Sequence, residues 1–372
     1  MWTANLFQVT TGQIGPQLQL EAATWSVSLN DIESISVQLR KSDLPQVDLQ
    51  RWFAPWWAGI VLMYDGVPIV AGPLVARPAE SFRFIYLEAR GIRQILTRRF
   101  VIRELDSWGN LAKDVVQYKG LSLGTIAKKV VQLSTTPKAG GSLPISYPIA
   151  DQTVRDDADH QRTYNGYNIA NLYTHDVLTK ISEVTRGPDI MFRPRLVRED
   201  QLTFDMLYGD EFDPRIPQKI TPLWDTAAIN GNVVDMDIVH TGTYQTDRVF
   251  STGAGLEQGT LIKMAEDERR RQQGFPLLES VTNITSDSEN PSVILNHAKG
   301  VLASNLNALT EIQMTVRADG DYYLGSFWSG DLAYVHFDNS WVTFKEGNQK
   351  MRILNVNGNL TTNVRMSLQT ED

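Results

Sequence analysis

The amino-acid sequence predicts a mainly β protein with an α+β insertion, and three observations carry this prediction. Apolar and polar residues alternate with a period of two in several segments of the first and last thirds, which is the pattern of strands with one buried face. The middle third carries two apolar stripes at helical spacing. An Asp65-Gly66 pair between two apolar runs is typical of a β-hairpin, because both turn positions need a positive φ. For 372 residues we expect about two to four domains.

Residues 1–103 are predicted to form a first domain, a small antiparallel β-barrel. A short helix after Gly91 would close this barrel, because Ile92, Ile95 and Leu96 share one helical face. The segments with strand character are residues 25–29, 35–39, 59–64, 67–72 and 81–89.

Residues 104–222 are predicted to form an inserted α/β domain. Residues 123–131 carry the first helical stripe, and Ser122 is a suitable cap for it. Residues 173–184 carry the second stripe, and a strand hairpin follows over residues 190–208. A helix packed on a hairpin is a compact α+β unit.

Between these two helices, residues 135–170 are polar and contain two adjacent glycines and three prolines. Loops of that length in compact domains are usually functional or disordered. We therefore expect a long polar loop that becomes ordered on contact with neighbouring proteins, because a segment this polar cannot build a core of its own.

Residues 223–372 are predicted to form a second β-barrel domain with helices. Residues 257–273 are charged and helix-prone. A further helix starts with Pro291 at its first position, and its buried face would be Ile294, Ala298, Val301 and Leu302. The strand segments of this third are residues 234–238, 249–251, 312–316, 332–337, 351–356 and 364–368.

Composition excludes several classes of protein. The net charge of −8 divides into +2, −2 and −8 over the three predicted domains, so none has the basic excess of a nucleic-acid-binding domain. The chain has no cysteine, which excludes disulfides, thiolate metal sites and a cysteine nucleophile. No apolar run approaches the ~18 residues that span a bilayer, and the start lacks the pattern of a signal peptide. We expect no membrane-spanning segment, and folding in a cytoplasm.

Motifs for catalysis or cofactor binding are lacking, so we expect no enzyme, no catalytic residue, no cofactor and no metal site. Gly253, Gly255 and Gly259 are one residue off the dinucleotide-binding spacing. The five histidines contain no pair three to five residues apart, which disfavours a zinc site.

Two acidic clusters leave alternatives open. Asp156, Asp157, Asp159 and His160 form either a divalent-cation loop or a solvated acidic loop, and we favour the second because the glycine and final glutamate of calcium loops are missing. Asp235 and Asp237 would lie on one side of a strand, where they suit either glycoside hydrolysis or plain solvent exposure.

Two further clusters are candidates for contacts with partner proteins. Aromatic residues are enriched at interfaces because they bury much area at low entropy cost, although the same residues would also cap a barrel core. Consecutive arginines would pair with acidic groups of another subunit, although a solvated helix face also explains them. The candidates are Trp52, Phe53, Trp56 and Trp57 in the first cluster and Arg269, Arg270 and Arg271 in the second.

A series of short motifs follows a fixed order along most of the chain. The first third holds Trp56-Trp57-Ala58-Gly59, the Asp65-Gly66 hairpin ending at Gly72, and the run from Ala89 to Leu96; the last third holds the run from Gly274 to Glu279, a helix around Ala298, and the run from Gly330 to Val335. This order resembles the tail-tip, or baseplate, hub proteins of phages. More widely, it resembles the minor tail proteins of long-tailed phages that infect actinobacteria.

The resemblance implies two β-barrel tube domains with an α/β domain inserted between them. Three chains would form a homotrimeric ring that adapts a sixfold tail tube to a threefold tip. Genomic DNA and the tape-measure protein ahead of it would pass through the lumen, without specific binding of the DNA. The ring would contact the distal tail protein ring above and tail-tip or fibre proteins below, in a virion assembled in the host cytoplasm.

Two alternatives remain open from the sequence. The chain would be a tail-associated carbohydrate-binding or depolymerase module if Trp52, Trp57, Asp235 and Asp237 lined one groove. It would be a free-standing hydrolase if the two aspartates alone were catalytic.

Overall fold

A computed structural model of the chain describes residues 1–105, 108–157, 159–184, 186–253, 257–283, 291–307 and 309–371. Strands account for 41% and helices for 19%, which confirms the prediction of a mainly β protein. The strands are β1 (Trp2–Gln8), β2 (Ile14–Leu18), β3 (Ala22–Ser28), β4 (Ser34–Arg40), β5 (Ala58–Tyr64), β6 (Val67–Pro73), β7 (Ala79–Glu80), β8 (Phe84–Arg90), β9 (Val115–Lys119), β10 (Ile145–Ser146), β11 (Gln161–Asn165), β12 (Ile190–Arg198), β13 (Gln201–Tyr208), β14 (Leu223–Asp225), β15 (Val233–Thr241), β16 (Arg248–Thr252), β17 (Ile262–Glu266), β18 (Glu279–Asn283), β19 (Leu309–Arg317), β20 (Leu332–Phe337), β21 (Gly347–Gly358) and β22 (Asn363–Thr370). The α-helices are α1 (Leu49–Trp52), α2 (Arg93–Leu96), α3 (Leu123–Thr135), α4 (Thr174–Ser182), α5 (Arg269–Gln272) and α6 (Pro291–Asn305).

The chain divides into two compact units. The first contains Met1–Met236 and Gln313–Asp372, and the second contains Asp237–Ile312. The chain leaves the first unit within β15 and returns to it within β19. The predicted boundaries near residues 103 and 222 stay predictions. Within the described ranges, no helix is long and apolar enough to cross a membrane.

The largest sheet joins strands from both ends of the chain. Its order is β15-β19-β22-β21-β3-β4-β8-β7, with β20 beside β21 and β14 beside β20. The link is an antiparallel pairing of β3 with β21, in which Val27 lies opposite Val356. The two β modules that we predicted as separate barrels therefore share one sheet, and no sheet in the described part of the chain closes into a barrel.

One side of this sheet carries mostly uncharged side chains across β3, β4 and the adjoining part of β21. Charged side chains flank them, since Glu88 and Arg90 of β8 lie opposite Ser36 and Ser34, and Arg365 of β22 lies opposite Asn357. The apolar residues of β3 and β4, such as Trp25 and Val37, are buried, and their neighbours in sequence face the other side. Asn355 on β21 donates hydrogen bonds to the Ser26 and Ser28 hydroxyls at 2.8 and 2.6 Å. We call these side chains the uncharged face: Ser26, Ser28, Ser34, Ser36, Gln38, Asn355, Asn357 and Ser367.

Local signals in the first unit place its turns and helix starts as predicted. Asp65 and Gly66 have φ values of 48° and 79° and connect β5 to β6 as a hairpin. The Ser122 side chain caps α3 by accepting a hydrogen bond from the Thr125 amide. The predicted helix after Gly91 is the single turn α2.

The inserted segment packs helices α3 and α4 against the β12–β13 hairpin. Its core is continuous with β1 and β5, since the rings of Phe7 and Phe204 lie 6.1 Å apart in one apolar cluster. The prediction of an unstructured loop over residues 135–170 is wrong in part. Ile145 and Tyr164 lie in short strands that pair with β13 and β9 and pack on this core. The segment therefore packs within its own chain; position 158 lies outside the described residues.

The second unit packs α6 on a three-stranded sheet with the order β17-β16-β18. Ala298 and Leu302 of α6 bury Val249 and Ala265 of this sheet, so the predicted apolar face of α6 is confirmed. The helix predicted over residues 257–273 is wrong in its centre, where Ile262–Glu266 forms β17, and only the short turn α5 (Arg269–Gln272) is α-helical near its end. Ala265 faces the core there while Glu266 pairs with Arg248 across the strands, and these contacts outweigh the helix propensity of a charged segment.

Candidate functional site

A groove of about 830 Å³ lies in the first unit at the end of the sheet formed by β8 and β7. Its size falls within the range of binding clefts in proteins. The lining side chains are mainly apolar and come from two stretches of chain; they are Lys41, Leu44, Leu49, Gln50, Phe53, Ala54, Pro55, Arg77, Pro78, Glu80 and Ile85.

One wall of the groove is the segment that contains α1. Asp48 caps this single turn by accepting a hydrogen bond from the Arg51 amide at 3.2 Å. The Trp52 ring then packs against β2, where Gly15 leaves room for it; any side chain at Gly15 would collide with the indole. The Asp48 cap and the close packing of the Trp52 ring on Gly15 thus hold this wall against the sheet.

The four aromatic candidates divide into different roles. Phe53 is buried and lines the groove. The Trp52 and Trp57 rings meet edge to face with centroids 5.1 Å apart, and the Arg51 guanidinium covers Trp57 at 4.5 Å. Trp56 is exposed, next to the groove residue Pro55.

Trp56 also has an unusual backbone. Its φ is 66°, a left-handed conformation that costs roughly 1–2 kcal/mol for a residue with a side chain. A hydrogen bond from its amide to the Leu74 carbonyl at 2.9 Å holds this conformation. Strained residues of this kind persist where the surroundings fix them, often at binding sites.

The second wall contains residues that we did not single out from the sequence. Lys41 and Glu80 form an ion pair of 2.7 Å at the rim, and Arg77 and Arg83 are exposed beside it. Phe82, in the turn between β7 and β8, is completely exposed. A signal was present in the sequence, because Phe82, Phe84 and Tyr86 alternate with the core residues of β8 and make both faces of that strand apolar.

The three arginine candidates lie in the second unit, and each is paired there. Arg269 pairs with Asp267 at 2.6 Å, Arg270 with Asp247 at 3.6 Å, and Arg271 with Glu266. Arg269 is largely exposed, whereas Arg270 covers the ring of Phe275. A role for them at a partner interface stays a prediction.

The acidic cluster around His160 forms a small network. The His160 ring nitrogens lie 2.7 Å from an Asp157 oxygen and 3.0 Å from a Glu211 oxygen. Although burial lowers the pKa of His160, these two carboxylates raise it more. Across the described part of the chain, no group of three or more metal-binding side chains is arranged to hold an ion.

The glycan groove predicted as an alternative does not assemble. Asp235 and Asp237 are exposed on β15, and neither lines the groove beside Trp52. Trp52 and Trp57 use their rings against Gly15, Arg51 and each other. Carbohydrate-binding and hydrolase functions therefore gain no support from the geometry.

Comparison with known proteins relates the chain to tail assemblies through its fold. No protein-family model matches it, and no curated protein matches it in sequence. The tail protein from Neisseria meningitidis MC58 matches with a TM-score of 0.55 and 15% identity, over 100% of this chain and 97% of that chain. The 43 kDa tail protein of prophage MuSo2 from Shewanella oneidensis matches with a TM-score of 0.57 and 10% identity, over 99% of this chain and 98% of that chain.

A third match comes from a protein complex of Francisella. A chain of the Francisella PdpA-VgrG complex matches with a TM-score of 0.54 and 7% identity, over 99% of this chain and 52% of that chain. From end to end, the chain therefore has the fold of phage tail proteins.

Proposed function

We propose that the chain is a structural, non-enzymatic hub of a phage tail tip. Three copies would form a ring that adapts the sixfold tail tube to the threefold tip, with the two β modules of each copy as the tube-facing parts. The observation that carries the proposal is the match to a tail protein and a prophage tail protein over almost their whole length. A match of this extent leaves little of either relative for another domain.

The uncharged face suits the wall of a channel through which DNA passes. Its hydroxyl and amide groups satisfy one another, as in the hydrogen bonds from Asn355 to Ser26 and Ser28. Cations such as Arg90 and Arg365 lie on the flanking strands, and a surface with few cations holds phosphates weakly, so it retains a passing polyanion little. We therefore assign this face to the lumen, along which genomic DNA and the tape-measure protein would move.

The remaining surfaces would serve contacts with other tail components. A distal tail protein ring would bind above the trimer, and tail-tip or fibre proteins would bind below it. The groove, together with exposed Trp56 and Phe82 that follow its lining residues Pro55 and Glu80 closely in sequence, is the surface best suited to bind protein, because apolar patches rimmed by polar groups mark such sites. The chain would reside at the virion tail tip after assembly in the host cytoplasm.

Two measurements test the proposal. Light scattering of the purified chain at several concentrations should give three times the mass of one chain. Gold-labelled antibody against the chain should bind the tip of the tail in electron micrographs of particles from the strain that encodes it. Label on the capsid, along the tail shaft or nowhere on the particle contradicts the proposal.

A substitution on the uncharged face tests the lumen assignment. Both variants of this test carry Glu88→Gln, because that carboxylate lies opposite Ser36 on β8 and would pair with a new cation. In particles, Ser36→Arg should slow DNA release while the trimer still forms, because the new cation binds passing phosphates. Ser36→Asn is the matched control and should release DNA normally. Equal release rates for the two variants would place the lumen elsewhere.

A further inference from the structure

A threefold ring needs two different surfaces on each copy. Contact between identical patches closes a pair about a twofold axis, whereas contact between different patches continues around a ring. The groove is one such surface. Its partner must be a projecting apolar surface elsewhere on the same chain.

Two loops at the carboxyl ends of β14 and β20 provide that surface. These strands pair in parallel with Asp225 opposite His336, so the loops that follow them leave the same end of the sheet. The Thr226 amide donates to the His336 carbonyl at 3.1 Å, and Trp341 Nε1 donates to Thr226 Oγ1 at 3.2 Å. We call residues 226–231 and 338–346 together the double-loop tip.

Aromatic stacking gives the double-loop tip a defined shape. Phe337 at the end of β20 is buried, and the ring of Phe344 stacks on it with centroids 4.5 Å apart. The Trp341 ring meets Phe337 edge to face, with centroids 5.6 Å apart. The loops are thus held by internal contacts and present a preformed surface.

Each loop of the tip exposes one large aliphatic side chain. Ile229 is 94% exposed and Val342 is 103% exposed. Single exposed aliphatic residues are ordinary, but these two lie on loops that the hydrogen bond from Trp341 to Thr226 joins, so we treat them as parts of one apolar surface. Inserting them into the apolar groove would remove both from water.

The charges around the two surfaces are complementary. Arg77 lines the groove, and Arg83 lies next to the groove residue Lys41, whose amide donates to the Arg83 carbonyl at 2.9 Å; both arginines are exposed, and the ion pairs of the described residues include neither. The double-loop tip and the adjoining Asp225 carry three carboxylates, on Asp225, Asp338 and Glu346, against the single cation of Lys345. Opposite charges of this kind set the orientation in which two proteins meet.

We propose that the double-loop tip of one copy inserts Ile229 and Val342 into the groove of the next copy, and that this head-to-tail contact closes the ring. The groove and the tip lie on different strands of one sheet, since β21, β3 and β4 separate β20 from β8 in strand order. The partner copy thus completes a site that is open in the single chain. This inference rests on the proposed trimer.

Cross-linking tests the contact directly, because the chain contains no cysteine. Ala54→Cys places a thiol on the groove wall, and Val342→Cys places one on the tip. A mixture of the two single variants should give the mixed dimer under mild oxidation, and the double variant should give a covalent trimer. The matched control combines Ala54→Cys with Val197→Cys, which is exposed on β12 and should not cross-link.

A second variant measures the same contact without cross-linking. Val342→Asp should weaken trimer formation on the order of tenfold or more, because it puts a charge into an apolar groove. Its circular dichroism should match that of the parent chain, since the side chain is fully exposed. Val197→Asp is the control and should leave the trimer unchanged.

The outcomes separate this inference from the proposed function. A trimer that forms without the groove-to-tip link, and that Val342→Asp does not weaken, overturns the inference and leaves the hub intact. Dimers from Val342→Cys alone would show self-pairing of the tip and also overturn it. A link that forms in a protein absent from the tail tip contradicts the hub but supports the contact. Absence of the link in both concentrated protein and purified particles overturns the inference.

Discussion

The side-chain amide nitrogen of Asn355 lies 2.6 Å from the hydroxyl oxygen of Ser28, across most of the length of the chain. The two residues face each other in the antiparallel pairing of β21 with β3. The same amide reaches Ser26 at 2.8 Å. The β strands of the first and last thirds are therefore parts of one folded body, and neither third completes its sheet alone.

Replacing Asn355 with alanine should weaken this junction. The variant loses three hydrogen bonds, two donated to the serines and one accepted from Asn357 at 2.7 Å. They lie on a partly exposed surface where water replaces them in part, so we expect a loss of about 1–2 kcal/mol in the free energy of unfolding. Urea unfolding followed by tryptophan fluorescence measures the change. Asn339→Ala, on an exposed loop, is the control. Equal stability of the two variants would mean that the backbone pairing alone holds the junction.

The sequence predicted the parts of this fold that local chemistry determines. Alternation identified the buried positions of β3 and β4, Asp65-Gly66 identified a hairpin, and Ser122 identified the start of α3. The pairing of β3 with β21 could not be predicted, because no local pattern encodes a register between strands that far apart in sequence.

The wrong predictions share a physical cause. Charged residues favoured a helix over 257–273, but burial of Ala265 and ion pairing of Glu266 made a strand there. Polarity favoured a loop over 135–170, but a few apolar anchors such as Ile145 were enough to attach it to the core. The groove was not predicted, although Phe53 of the aromatic cluster lines it, because its walls come from two stretches of chain that meet only in the folded protein.

The left-handed backbone of Trp56 predicts an unusual order of stability among its variants. Glycine adopts a positive φ without strain, whereas alanine does not, so Trp56→Gly should be more stable than Trp56→Ala by about 1 kcal/mol. At an ordinary exposed position the order is the reverse. Thermal unfolding of the two variants measures the difference, with Gly and Ala variants of exposed Thr24 on β3 as the reference pair.

The buried carboxyl of Glu33 should make stability depend on pH. Burial raises its pKa to about 7 from an ordinary value of 4.5, against the opposing effect of Arg93. The folded protein therefore binds a proton that the unfolded chain releases, and this group costs stability as the pH rises from about 4.5 to 7.

Glu33→Gln removes that cost. Relative to the parent chain, the variant's free energy of unfolding should increase by up to about 3 kcal/mol as the pH is raised from 5 to 8. Urea unfolding at each pH measures the gain, and Glu88→Gln on the exposed face of β8 controls for the loss of one negative charge. A difference between parent and variant that stays constant with pH would contradict the assignment.

The pKa values of two histidines should be shifted in opposite directions from the ordinary value. Both ring nitrogens of His160 face carboxylates, so the network needs the charged ring, and its pKa is raised. His175 accepts a hydrogen bond from Arg93 at 3.2 Å, and burial followed by the nearby Arg93 charge lowers its pKa.

The stabilising contribution of His160 is complete below pH 6.5 and disappears as the pH rises through its higher folded pKa. NMR titration of the histidine rings should give midpoints above 6.5 for His160 and below 6.5 for His175. His160→Gln should remove the first resonance and leave the second midpoint unchanged. Equal midpoints would show that neither contact persists in solution.

The three consecutive arginines should differ sharply in their effect on the second unit. Asp247 is completely buried, and its charge is balanced by Arg270, which also covers the Phe275 ring. Arg270→Ala removes the cation that balances this charge and should lower the free energy of unfolding by about 3–5 kcal/mol. Arg269→Ala removes an exposed pair with Asp267 and should cost at most about 1 kcal/mol.

Hydrogen exchange resolves these effects by region. In Arg270→Ala, protection should fall for amides of Asp237–Ile312, while Arg269→Ala should leave the same amides protected. If the arginines instead served only to dock a partner, both variants would bind it more weakly and neither would change exchange in the isolated chain. A fall in protection confined to Arg270→Ala assigns the middle arginine to the core of its own unit and leaves Arg269 as the member of the triplet best placed for a partner.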